Sequence, residues 1–349
     1  REQDLKFLRA ALKDTDPYSE PGEFSEKELL LESLREFPPA SIADDPTAYR
    51  RVKGDLVSTA EHVEEWLEGR DVTPKTKDMD RSDIHRLAEV FPTNDSLKRI
   101  EVRKWTDRLV KESGLKPKTV ARILSACRGY WRYLQDMEIV PEDLEPFERM
   151  EVARRASKKT SPQDETKPFK PEAVVSIREA AFKAGDAELV DLITIGMWSG
   201  CRIEEICALK VSKVADSYLE IEDAKTPSGW RQVPIHTKLK ATMERLTRDS
   251  KDGYVIAGLT KNKYGDRSNA IGKRFGKLKS RLGYRPSVET FHSIRRTVAT
   301  LLENAGVPES TAADIIGHDK PTMTYGVYSG GAGLELKTKA IEALDYPEP

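Results

Sequence analysis

Between Phe291 and Gly331 the chain reads FHSIRRTVATLLENAGVPESTAADIIGHDKPTMTYGVYSGG, which places His292 and Arg295 three residues apart, then a Gly317-His318 pair, then Tyr325 and Tyr328. On a helix over residues 291–305, His292 and Arg295 share a face, and Val298, Leu301 and Leu302 continue an apolar stripe that holds that face against a core. One segment thus offers a cation, two imidazoles and two oxygen nucleophiles, an inventory suited to handling phosphate. Upstream, SGCRIEEICALK supplies Arg202 and Glu205, and Lys225 stands beside the turn residues Thr226-Pro227-Ser228-Gly229. A phosphodiester is anionic, and attack on it concentrates charge on the non-bridging oxygens, so the guanidinium forks of Arg202 and Arg295 suit it. A tyrosine hydroxyl titrates at roughly 10 and needs a positive site and a nearby base to attack at neutral pH. Glu205, three residues after Arg202, is placed to orient it.

Each group alone has a blander reading. Arg202 with Glu205 is an ordinary helix-surface pair, Lys225 a solvated hairpin lysine, His292 a satisfied core histidine, and His318 after Gly317 a helix C-terminal cap. Arg295 is one more cationic-face arginine, like Arg296, apart from its register with His292; five such coincidences in one chain favour the joint functional reading.

The elements that must position these groups follow from periodicity. Helices are expected over residues 4–12, 26–37, 58–69, 82–90, 98–112 and 117–137, then 171–184, 187–199, 237–248 and 268–282. Two strands are expected at 218–224 and 231–236 around the Thr226–Gly229 turn. In the 117–137 helix, Val120, Ile123, Leu124, Cys127, Trp131 and Leu134 fall within one arc, with Lys118, Arg122, Ser125 and Arg132 opposite. Pro117 suits its first turn. The 268–282 helix sets Ile271, Phe275, Leu278 and Leu282 on one side and Lys273, Arg274, Lys277, Lys279 and Arg281 around the rest. Lys118, Arg122, Arg132, Lys273, Arg274 and Lys277 are therefore the candidate phosphate-tracking cations. The run ARRASKKTSPQDETKPFK has no apolar period and reads as a linker.

With 349 residues and a hydrophobic fraction of 38%, the chain is long enough for two or more domains with their own cores. The formal net charge of -1 hides segregation. Residues 1–80 carry 12 basic against 20 acidic side chains, 81–160 carry 18 against 13, and 241–320 carry 15 against 9. Two basic blocks separated in sequence are the footprint of a nucleic-acid binder. No apolar run approaches the roughly 18 residues of a membrane span, and no export pattern opens the chain. Cys127, Cys201 and Cys207 match no zinc spacing, and a reducing, cytoplasmic setting is expected. The first residue is Arg1 rather than Met, as expected of a fragment or trimmed chain.

The ordered set Arg202 with Glu205, Lys225, His292 with Arg295, His318, and Tyr325 or Tyr328 resembles the tyrosine recombinases, the phage-integrase family of site-specific DNA recombinases. The resemblance covers residues 55–345, and KPKTVARILSACRGYWRYL is similar to that family's core-binding domain. It implies a multidomain, mainly α fold: a helical, SAM-like core-binding domain and a mixed α/β catalytic domain with a small antiparallel sheet, closing as a clamp on DNA. The expected boundaries are an acidic helical accessory region at 1–55, the core-binding domain at 56–152, the linker at 153–170 and the catalytic domain at 171–349. By resemblance Lys225 is the general acid for the leaving 5' oxygen, His292 the acid-base partner, and His318 a donor to the phosphate. Tyr328, ten residues after His318, is the favoured nucleophile, with Tyr325 supporting.

The tyrosyl ester conserves the phosphodiester energy, so neither metal nor nucleotide cofactor is expected. The implied partner is double-stranded DNA, bound by a homotetramer on two sites, with accessory DNA-bending or directionality proteins and nucleoid association. The tail over residues 334–344 is similar to a helix that docks on a neighbouring protomer; intramolecular docking is the alternative. A tyrosine-type topoisomerase, a telomere resolvase and a catalytically inactive DNA-binding regulator remain open as alternatives.

Overall fold

The computed structural model describes residues 2–13, 15, 24–40, 42–44, 48–53, 56–150, 167–222, 229–285, 288–319 and 329–348. Lys225, Tyr325 and Tyr328 lie outside these described residues. The chain divides into two compact units, Arg1–Lys159 and Thr160–Pro349. Both are mainly helical, with one small antiparallel sheet among the described residues.

The first unit opens with helices α1 (Glu2–Lys13), α2 (Glu26–Glu36) and α3 (Ala48–Lys53), which enclose Leu5, Leu12, Leu31, Ile42, Ala48 and Val52. Ser25 starts α2 with a reciprocal capping box to Glu28. Arg9 of α1 fastens this group to the next: its Nε donates to the Arg51 carbonyl at 2.9 Å and its guanidinium pairs with Glu61.

A larger core follows under α4 (Val63–Glu68), α5 (Pro74–Val90), α6 (Arg99–Lys111) and α7 (Pro117–Asp136). All six arc residues of α7 are buried, joined by Ala126 and Tyr130, whereas Lys118, Arg122, Ser125 and Arg132 are exposed. Trp131 satisfies its indole N–H on the Leu144 carbonyl at 2.7 Å.

Two helix starts in this core differ from expectation. Residues 58–61 form a turn rather than the start of α4, because Ser58 pairs with Thr93 and the Thr59 N–H donates to the Pro92 carbonyl. Helix α5 begins at Pro74 rather than Ser82, capped by Thr73, whose side chain accepts from the Thr76 N–H. Thr-Pro is a regular N-terminal signal; the polar first turns of α5 concealed it from a hydrophobic-period reading.

The second unit is built around α9 (Ala187–Ser199), which is flanked by α8 (Pro171–Lys183) and later helices. Every residue from Asp191 to Gly200 is buried, as befits a helix apolar on nearly all sides. Gly200 ends it in the left-handed region at φ 66°, redirecting the chain into α10 (Ile203–Cys207).

Strands β1 (Tyr218–Ile221) and β2 (Arg231–Pro234) pair antiparallel, with Ile221 opposite Arg231. β2 ends at Pro234, two residues earlier than the sequence pattern suggests, although the Ile235 N–H still donates to the Ser217 carbonyl at 2.9 Å; residues 223 and 224 of the other expected strand lie outside the described residues. Next come a single 3-10 turn at Thr237–Leu239, then α11 (Lys240–Asp249), α12 (Ser268–Arg281), α13 (Phe291–Asn304), α14 (Glu309–Ile316) and α15 (Leu334–Glu342).

On α12, Ile271 and Phe275 are buried as expected, but Lys279 is also buried, its ammonium donating to the Arg285 carbonyl at 2.6 Å, and Leu282 is exposed. The tail packs on its own chain. Ala340, Ile341, Leu344 and Tyr346 join the core, and Glu342 accepts from the Thr237 N–H and hydroxyl, both at 2.8 Å.

A candidate phosphate-handling site

Arg202 is the residue preceding α10, and Glu205 lies in that helix's first turn. A carboxylate three residues after a helix start reaches back to the unsatisfied N–H groups there. Glu205 accepts from the Arg202 N–H at 2.7 Å and from Arg202 Nη1 at 2.5 Å. Its two oxygens also receive Arg231 of β2, at 3.1 Å from Nη1 and 2.8 Å from Nη2. One buried carboxylate thus aligns two guanidinium groups.

Helix α13 supplies the third. Its apolar stripe of Ile294, Val298 and Leu302 is fully buried and turns Arg295 inward, to 2% exposure. Arg295 Nη1 donates to the Gly200 carbonyl at 2.9 Å. Its Nη2 approaches the Gly317 carbonyl at 3.5 Å, and Arg202 Nη2 donates to that same oxygen at 2.8 Å. Arg202 and Arg295, 93 positions apart in sequence, therefore converge on one acceptor. The Arg295 Nε is buried and has no hydrogen-bond partner among the described residues. A buried donor left over at such a point is a place where an anion gains most.

Gly317 and His318 follow α14, with both N–H groups donating to the Ala313 carbonyl at 2.8 and 3.0 Å. The backbone is a helix C-terminus, and the His318 side chain remains exposed beside the arginines. His292, one turn before Arg295, is likewise exposed.

Electrostatics separates these groups sharply. Burial raises the Glu205 carboxyl, but the hydrogen bonds and charges of Arg231 and then Arg202 outweigh it and bring it down to about 2. Burial first, then the charges of Arg202 and Arg231, pushes Arg295 down to about 10, still protonated at neutral pH. His292 is lowered by partial loss of hydration and then by Arg295, Arg296 and Arg202. His318 is lowered by loss of hydration and then by Arg295, Arg202, His292 and Arg231. Both imidazoles are therefore neutral at pH 7, each with one donor and one acceptor nitrogen. The arrangement combines fixed cations that hold an anion with uncharged bases that move protons.

Because their folded-state values lie below the ordinary 6.5, these histidines favour the folded state above about pH 6.5, and that contribution is lost as pH falls below it. An anion in the site has the opposite effect on both and raises them. Titration of the imidazole carbons by NMR is expected to show both midpoints below 6.5 without ligand, and both shifted upward in saturating inorganic sulfate. Midpoints unmoved by sulfate would show that the histidines do not face the anion.

The remaining cation candidates fall into two groups. Lys118, Arg132, Lys273 and Lys277 are exposed on α7 and α12. Arg122 instead pairs with the buried Asp83, with Nη2 to Oδ1 at 3.1 Å, and Arg274 bonds Asp186 from Nε at 2.9 Å and Glu188 from Nη1 at 2.7 Å. Sequence reasoning passed over Arg231. Its signal was alternation: Arg231 lies two residues before the apolar Val233 in a strand, so it faces the same inner side.

Residues 169–331 match the sequence profile of the phage integrase family. A tyrosine recombinase XerC-like protein of Caldanaerobacter subterraneus subsp. tengcongensis is 25% identical, over 71% of each chain. Two solved structures share the fold. One is lambda integrase as a tetramer bound to a Holliday junction: 18% identity, 88% of this chain and 93% of that one, TM-score 0.62. The other is the Tn1549 transposon integrase in complex with circular intermediate DNA: 24% identity, 83% of this chain and all of that one, TM-score 0.56. The matched segment, residues 169–331, spans Arg202, Glu205, Lys225, His292, Arg295, His318, Tyr325 and Tyr328, and over it the chain is similar to the phage integrase family.

Proposed function

We propose that this protein is a site-specific DNA recombinase that cleaves and rejoins DNA through a 3'-phosphotyrosyl intermediate. The observation that carries the reading is the convergence of Arg202 and Arg295 on the Gly317 carbonyl, with His318 next to Gly317 in the chain and His292 one turn before Arg295 on α13. In the reaction Arg202 and Arg295 hold the non-bridging oxygens of the scissile phosphate, and His318 donates to one of them. His292 accepts the tyrosine proton as the Tyr328 oxygen bonds to phosphorus. The P–O5' bond breaks, and Lys225 protonates the leaving oxygen. Reversal of these steps with the 5' hydroxyl of a second strand completes exchange.

Lys118 and Arg132 of α7 and Lys273 and Lys277 of α12 are assigned to the DNA backbone, which makes binding steeply salt-dependent. Both structural relatives are bound to DNA, lambda integrase as a tetramer, which supports DNA as partner and a tetramer as the working assembly.

The reading is tested with a pool of nicked duplexes of random sequence, in which the short strand diffuses away after cleavage and traps the covalent adduct. The wild-type chain is expected to retain a narrow set of sequences, with peptide mapping of the DNA-linked residue to Tyr328. Tyr328→Phe is expected to abolish the adduct and Tyr325→Phe to leave it. An adduct that survives Tyr328→Phe and disappears in Tyr325→Phe reverses the assignment of nucleophile. Equal trapping of all sequences points to a topoisomerase, and no adduct at all removes the recombinase reading.

A further inference from the structure

Arg231 is held by several hydrogen bonds near the site, and the reaction scheme gives it no task. Its side chain is 4% exposed. Nε donates to the Ile315 carbonyl at 2.7 Å, just before Gly317 and His318. Nη1 donates to the Gly229 carbonyl at 3.0 Å, at the entry to β2, and to Glu205 at 3.1 Å. Nη2 completes the bidentate grip on Glu205 at 2.8 Å. A planar guanidinium with donors in a fixed fork is the one side chain able to satisfy a carboxylate and two divergent carbonyls together.

Glu205 is in turn the group that holds the Arg202 N–H and Nη1. The charge of Arg231, with its hydrogen bonds, is also the leading force keeping Glu205 ionised against burial. The fork lies directly against the Gly317 backbone, since a side-chain carbon built on Gly317 would stand 2.7 Å from Arg231 Nη1. Gly317 contributes the carbonyl on which Arg202 and Arg295 converge.

We infer that Arg231 is a positioning residue of the transesterification. Through Glu205 it sets the Arg202 fork, and through the Ile315 carbonyl it sets the Gly317-His318 backbone, so that both meet one phosphate. This rests on the recombinase reading above. In this role Arg231 acts through Glu205 and the Ile315 carbonyl rather than on the phosphate itself. Lysine keeps its charge but not its fork, so Arg231→Lys holds Glu205 ionised while losing the simultaneous bonds to Ile315 and Gly229.

The test uses the full chain and a duplex recovered from the random pool, made with either a natural scissile phosphodiester or a methylphosphonate at that position. The methylphosphonate carries no charge on its non-bridging oxygen and so demands less of the guanidinium forks. Single-turnover adduct formation by Arg231→Lys and Arg231→Met is measured on both, beside thermal melting. The expected result is about a hundredfold slowing on the phosphodiester, shrinking to less than tenfold on the methylphosphonate, with Arg231→Lys melting below wild type but still folded at the assay temperature.

Equal slowing on both substrates would reduce Arg231 to a fold-stabilising residue and overturn the inference. An unchanged rate on the phosphodiester would overturn it too, leaving the recombinase reading intact because the wild-type adduct still forms. If the wild-type chain forms no adduct on any duplex, both fall together.

Discussion

Glu205→Ala is expected to destabilise the second unit by about 3–5 kcal/mol, the range for removing one partner of a buried ion pair. The change strands the Arg231 guanidinium, 4% exposed, without its carboxylate, and it takes the acceptor from the Arg202 N–H. Urea unfolding of the wild-type and variant chains at pH 7 measures the difference.

The pH dependence identifies the cause. The folded-state carboxyl is depressed from the ordinary 4.5 to about 2. Its contribution is therefore complete above about pH 4.5 and disappears as pH falls toward 2. A shift of that size corresponds to about 3 kcal/mol. The gap between wild type and Glu205→Ala is expected to narrow as pH falls from about 5 to 2, and a gap that stays constant would show that the charge of Glu205 is not what stabilises. Glu205→Gln, which keeps the shape and loses the charge, is expected to fall between the two. Adduct formation should be lost in Glu205→Ala at every pH at which the chain is folded, because Arg202 is then unaligned.

Gly317→Ala carries the second large effect. The residue has φ 67°, and its added carbon would meet Arg231 Nη1 at 2.7 Å, Cζ at 3.0 Å and Cδ at 3.1 Å. The left-handed backbone alone costs roughly 1–2 kcal/mol for a residue with a side chain. Displacing a pinned guanidinium adds the loss of charged hydrogen bonds, each worth about 1.5–3 kcal/mol. Gly253→Ala separates the two contributions, since Gly253 has φ 78° and nothing within 4 Å of its added carbon. The Gly253 variant is expected to melt slightly lower and to form adduct normally. The Gly317 variant is expected to melt much lower and to lose adduct formation by about two orders of magnitude or more. Equal behaviour of the two variants would mean that the contact with Arg231 is unimportant.

The amino-acid sequence by itself determined the helices whose apolar residues recur at helical spacing. In α7 the six arc residues are all buried and the four polar ones opposite all exposed, because a 3.6-residue period places each on a predictable side of the axis. In α13 the expected stripe is met at Val298 and Leu302, while Leu301 is half-buried, Ile294 completes the buried side, and of the pair expected on one face Arg295 is buried and His292 exposed. The pairing of Arg202 with Glu205 was legible for a similar reason, since a first-turn carboxylate and the residue before the helix are local neighbours. Local signals were weaker where polar residues form the helix, as at the start of α5, or where a tertiary bridge overrides a helical run, as at Ser58.

Only the tertiary structure decided what meets at the site. Arg231 and Glu205 are separated by 26 positions and Arg231 and Ile315 by 84, so no periodicity relates them, and their contact depends on how the β1–β2 hairpin packs beside α14. Lys279 reads as one more surface cation until the Arg285 carbonyl folds over it. Arg122 and Arg274 read like the other cations of their helices until Asp83, Asp186 and Glu188 pair with them. Charge lacks the directional period that apolar burial imposes on a helix, so a sequence shows how many cations a face carries, while the partners that hold them are set by the folded chain.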